Sequence, residues 1–172
     1  MGKKSIKENK NIFQLYREEC NLTRAAAADL MVGISEDRIK KIENGTSPTD
    51  YDILQMAEAY KKPELCNWHC THTCEIGRKY IPQVEISELP SIVLETVATL
   101  NEIQPLINRL IQITKDGKIS DDEIPDFALI SRKLDEVSLA SDALNLWVEK
   151  TIKENGLNGQ LLTEEKEKLS DK

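Results

Sequence analysis

Apolar positions along the chain follow two rhythms. Between Asn11 and Tyr60 they recur in short helical bursts separated by tight turns. From residue 86 to 155 the rhythm lengthens into two long helices. The first of these carries Leu89, Val93, Val97, Leu100, Ile103, Ile107, Leu110 and Ile111, with Pro105 inside it to kink or split it. In the second, Phe127, Ile130, Leu134, Val137, Ser141, Leu144, Val148 and Thr151 step alternately by three and four, a heptad-like seam with Trp147 beside it. Ser120 and Glu123 make a capping box ahead of that helix. The turn Lys115-Asp116-Gly117-Lys118 joins the pair into an antiparallel hairpin with apolar surface for itself and for a second copy.

These rhythms divide the chain into five stretches. Residues 1–10 form a lysine-rich flexible lead, and 11–62 a region of short helices. Residues 63–85 are a connector bounded by Pro63 and Pro82 and rich in Cys and His. Residues 86–155 are the hairpin, for dimerisation or partner binding. Residues 156–172 are a polar tail with Gly156 and Gly159 as breakers. No stretch reads as a strand, so the predicted fold class is all-α.

Composition agrees. Apolar residues make up 40 % of the chain and aromatics only 5 %, so the core must be aliphatic. Charged residues at 31 % with few glycines fit a helical protein. No apolar run approaches the roughly 18 residues of a membrane span, and the N-terminus lacks the apolar stretch of a signal peptide. Cytoplasmic residence without membrane contact is the expectation. The net charge of −7 argues at first against nucleic acid. Its distribution changes that, because residues 1–62 hold 11 Lys+Arg against 10 Asp+Glu, and residues 63–172 hold 12 against 20. The acidic excess lies outside the short-helix region. A weakly charged nucleic-acid reader can work with its cations on one face, but with a shallow salt dependence.

Within that region, Thr23 can cap a short helix whose alanines allow close packing. Gly33 supplies a turn, Ser35 caps the next helix, Ile39 and Ile42 point inward, and Asn44-Gly45 stops it. Residues Thr23, Ala28, Gly33-Ile34-Ser35, Ile39 and Ile42-Glu43-Asn44-Gly45 resemble the Cro/repressor-like (XRE-type) helix-turn-helix family over about a third of the chain. Ile53 to Tyr60 resembles that family's fifth helix. The first helix reads one residue longer than the usual pattern, and Arg24 replaces the usual Gln.

The resemblance implies an N-terminal five-helix, lambda-repressor-like DNA-binding domain in a transcriptional regulator, and double-stranded DNA as partner. It places the start of the second helix in the major groove. Ser35, Glu36, Asp37 and Lys41 would then lie near base edges, and Arg24, Arg38, Lys40 and Asn44 nearer the phosphates, with Thr23 a further DNA-binding residue. Glu36 and Asp37 either accept from a cytosine amino group or only stabilise the helix N-terminus. Regulators of this kind bind paired half-sites, which implies a homodimer through residues 86–155. The alternative is a domain of the same shape that has lost DNA binding and contacts a protein.

The connector reads Cys66-Asn67-Trp68-His69-Cys70-Thr71-His72-Thr73-Cys74. Cys66, His69, Cys70 and Cys74 are metal-ligand types, for zinc or an iron–sulfur cluster. On a continuous helix Cys66 and Cys74 stand ~12 Å apart along the axis, too far for one ion. A non-helical loop, or further ligands such as Cys20, would be needed. Reversible thiol chemistry, and cysteines packing as small apolar residues, are the other readings. A helix-turn-helix region followed by this segment is similar to a group of regulators from clostridia-like bacteria, a resemblance that supplies no ligand.

Asp116 to Glu123 mimics the second half of a calcium loop, but the aligned first and third positions are Gln112 and Thr114 rather than acids. A helix–helix turn with a cap explains it. No Ser/His/Asp arrangement, phosphate-binding glycine loop or catalytic carboxylate pair is visible, so no enzyme is expected.

Overall fold

The computed structural model describes residues 10–170, all of whose regular elements are helical. The expected all-α fold is the one observed. Residues 1–9 of the lead lie outside the described residues. The chain forms two compact units, one comprising the residues up to Gln83 with the segment from Glu149 onward, the other Val84–Val148.

The first unit opens with α1 (Ile12–Glu19), α2 (Arg24–Asp29), α3 (Glu36–Glu43), α4 (Asp50–Ala59) and α5 (Glu64–His72). The first four begin at side-chain caps. Asn11, Thr23, Ser35 and Thr49 accept from the backbone N–H of Gln14, Ala26, Arg38 and Asp52 respectively. One apolar core joins all five, mostly aliphatic but with two buried aromatic rings, and it holds Phe13, Ala27, Ile39, Ile42, Met56, Tyr60 and Leu65. Burying such a side chain contributes roughly 1.5–3 kcal/mol.

Two sequence expectations change here. The segment Ile53 to Tyr60 belongs to the fourth helix and its C-cap, not to a fifth. The fifth is α5, formed by residues expected in a connector, and Leu65 ties it into the core. A short α6 (Gly77–Tyr80) follows. The expected polar tail also contains a helix, α10 (Gly159–Ser170). Asn158 caps it by accepting from Leu161 N–H, and Gly159 stands at the first position, where it interrupts nothing.

Polar contacts brace the core. The Glu43 carboxylate, its side chain 1 % exposed, accepts from Arg17 Nε at 2.6 Å and from Arg24 Nε at 2.7 Å. That single group joins α1, α2 and α3. Burial alone would lower the Arg17 pKa, but Glu43 outweighs it and raises it. Asn11 Nδ2 donates to the Ile42 carbonyl at 2.8 Å, satisfying the end of α3 from α1. On the other flank Arg38 donates to Asp52 at 2.5 Å, while Asp52 also accepts from Thr49 N–H at 2.7 Å. Burial pulls the Asp52 carboxyl upward, but the Arg38 and Thr49 hydrogen bonds win and hold it below the ordinary carboxylate range.

The second unit holds α7 (Leu89–Ile103), a 3-10 turn at Gln104–Leu106, α8 (Ile107–Ile113) and most of α9 (Ile124–Lys153). Pro105 splits the first long helix as expected. Lys133 reaches Glu102 and Arg109 reaches Asp126, pairs whose numbers converge and so mark antiparallel strokes. Ile92, Ile113 and Ile130 are buried, with Ala140 and Thr99. The seam read from Phe127 to Thr151 is not one uniform surface, because Ile130 lies in this core while Phe127 and Leu134 are exposed. Ser120 donates from both its hydroxyl and its backbone to the Glu123 carboxylate ahead of α9, half of the expected box.

Three outcomes are expected in denaturation experiments. Leu65→Ala should cost about 2–5 kcal/mol. Glu43→Gln should cost about 3 kcal/mol, since it leaves the buried Arg17 charge with only the Glu18 carboxylate at 3.9 Å as its charged partner among the described residues. Asp52→Asn should behave differently with pH. A carboxyl with a depressed folded pKa contributes stability above its unfolded value near ~3.9 and loses it as the pH falls through the folded value. The gap between wild type and Asp52→Asn should therefore be full at neutral pH and close under acid; a gap constant with pH would refute the assignment.

Candidate nucleic-acid interface

The pair α2–α3 is set by its caps and its turn. Gly33 and Gly45 occupy φ +71° and +104°, a region open to glycine, one between the helices and one after α3. Thr46 N–H donates to the Lys41 carbonyl and Gly45 N–H to that of Ile42, closing α3 with a Schellman-type stop. In the turn that follows α2, the Val32 N–H donates to Gln55 Oε1 and the Val32 carbonyl accepts from the Tyr51 hydroxyl.

On α3, Ile39, Ile42 and Glu43 face the core. Glu36, Asp37, Lys40 and Lys41 are exposed, as is Asn44 at the end. Their spacing puts them on one side of the helix. The acids stand at the N-terminus and the lysines in the last turn, so each sign faces the favourable end of the helix dipole. The outer side is electrically divided, with a net charge of zero.

The two arginines expected near phosphates are engaged within the fold. Arg24 binds Glu43 and Arg38 binds Asp52, so each orients helices before it can contact anything outside. Thr23 and Ser35 are spent as caps. Lys40 and Lys41 are the exposed cations of α3 without an ion pair among the described residues. Sequence reading missed Glu43 and Asp52 as positioning residues. The pattern Thr49-x-x-Asp52 was a capping signal in plain view; nothing local marked Glu43.

The expected metal ligands Cys66, His69, Cys70 and Cys74 lie on α5 and just beyond it. Among the described residues, no three His, Cys, Asp or Glu side chains gather as ligands. The cause is the helical course of α5. His69 has both ring nitrogens engaged, Nε2 with Asp50 at 3.1 Å and Nδ1 with the Thr73 hydroxyl at 2.5 Å. Cys74 lies beyond the helix, where its sulfur accepts from Gly77 N–H at 3.4 Å. Cys66 is half-buried, and burial raises its thiol pKa. Cys20 donates to the Tyr60 carbonyl. Trp68 packs edge-on to Phe13 and stacks on His72. The region is part of the packed bundle.

No helix of the described residues is long and apolar enough to cross a membrane. No curated protein and no solved structure shows significant similarity to the chain. Residues 13–65, spanning α1 to the first turn of α5, match the family model described as helix-turn-helix, so an N-terminal helix-turn-helix domain heads this all-α chain.

Proposed function

We propose that this protein is a sequence-specific DNA-binding transcriptional regulator that lays α3 in the major groove. The helix-turn-helix match supports a DNA-binding regulator in general. One observation carries the finer reading. The inner side of α3 is locked by Ile39, Ile42 and Glu43, while its outer side stays exposed along its whole length. A stiffly held helix with a free outer side is what groove reading requires.

In this reading Lys40 and Lys41 approach the duplex, and Glu36 or Asp37 accepts from a cytosine amino group. Ser35, Thr23 and Asn44 present helix ends to the backbone. Arg24 and Arg38 contribute mainly by fixing the helices, with their remaining N–H groups turned to phosphate. The protein acts as a homodimer on paired half-sites, held by residues 86–155, and has no catalytic role. The acidic pair at the front of α3 supports a second reading, in which the same side contacts a protein.

Mobility shift against a random duplex pool separates the two. Lys40→Glu/Lys41→Glu should weaken DNA binding at least ~10-fold while leaving the fold intact, and wild-type affinity should fall with salt at a log–log slope of about −2 to −4. Absence of any retarded duplex at low salt would overturn the regulator reading and leave the protein-contact one.

A further inference from the structure

The second unit exposes more large apolar side chains than it buries. Eleven are exposed between Val93 and Leu139, against three buried, Ile92, Ile113 and Ile130. The exposed ones are not scattered. Val93, Val97, Leu100, Gln104, Ile107 and Ile111 step by four, three, four, three and four. The 3-10 turn at Pro105 does not break the row, because Ile103, Gln104, Leu106 and Ile107 all keep right-handed helical dihedrals. The five apolar members run from 41 % to 62 % exposed.

We propose that this α7–α8 stripe is the contact between two copies of the chain. Three observations select a second copy. The first is extent: the row runs over about five helical turns, with each of its five apolar members at least 41 % exposed and Leu94 beside it 71 % exposed. The second is charge. From Leu89 to Ile113 the only charged residues are Glu95, Glu102 and Arg109, and the last two are paired to Lys133 and Asp126. A neutral stripe offers nothing to phosphate or to a charged peptide, but it suits its own twin. The third is the spacing. A three–four row is self-complementary across a two-fold axis, and Gln104 can donate to and accept from its counterpart, fixing register as a lone polar residue does in a helical seam.

The proposal rests on the homodimer reading above but not on DNA contact, and it narrows the interface from residues 86–155 to α7–α8. Light scattering of the full chain tests it. Wild type should show a dimer mass. Val97→Glu/Ile111→Glu, at exposed positions, should give a monomer with unchanged helical circular dichroism, and the neutral Val97→Gln/Ile111→Gln should weaken the dimer at least tenfold should the charged variant misfold. Leu144→Asp, on the α9 seam, should leave the dimer in place. Lys40→Glu/Lys41→Glu should remain dimeric while losing DNA, so a failure of the regulator reading is distinguishable. A monomeric wild type at its highest soluble concentration, or a dimer that survives the stripe substitutions, overturns the proposal.

Discussion

A buried carboxylate with two guanidiniums organises the helix-turn-helix domain. Taking Glu43 and Arg17 out of water carries a desolvation cost, and only close multiple contacts offset it. Here Arg17 meets both oxygens of Glu43, Arg24 adds a third contact from α2, and Arg17 donates to the Leu22 carbonyl. The group therefore sets a geometry more than it adds net stability. Apolar packing by Ile39 and Ile42 lacks direction. The fork of hydrogen bonds does not. The arginines are engaged inside the domain as a result, Arg17 and Arg24 on Glu43 and Arg38 on Asp52.

That arrangement bears on the proposed pairing of an acidic protein with a nucleic-acid partner. Affinity through phosphate neutralisation scales with the number of cations brought to the backbone. With Arg24 and Arg38 already engaged, few remain. What is left is orientation, since α3 is presented at a fixed angle with an acid-first, base-last order that no loop could hold. The domain is built for positioning at low charge, and its neighbours in the chain carry the negative surplus.

Local features were legible in the sequence and tertiary ones were not. Thr23, Ser35, Gly33 and Gly45 announced their roles, because a cap or a left-handed turn is decided within four residues. Pro105 announced its break for the same reason. The fifth helix was hidden. Its Cys and His residues drew a ligand reading, whereas the feature that decides its place is the burial of Leu65 against helices far earlier in the chain. Arg24 and Arg38 were recognisable as cations, but residue type does not name a partner, and both partners are carboxylates on other helices. The apolar periodicity of the second half gave faces without saying what covers them. Ile130 turned inward, while the row from Val93 to Ile111 stayed open.

The turn between α2 and α3 is anchored from outside the pair. Val32 is held to α4 at both ends of its residue, its N–H by Gln55 and its carbonyl by Tyr51. A corner tied at two points to a third helix cannot hinge on Gly33 alone, so any swing of α3 against α2 has to carry α4 with it.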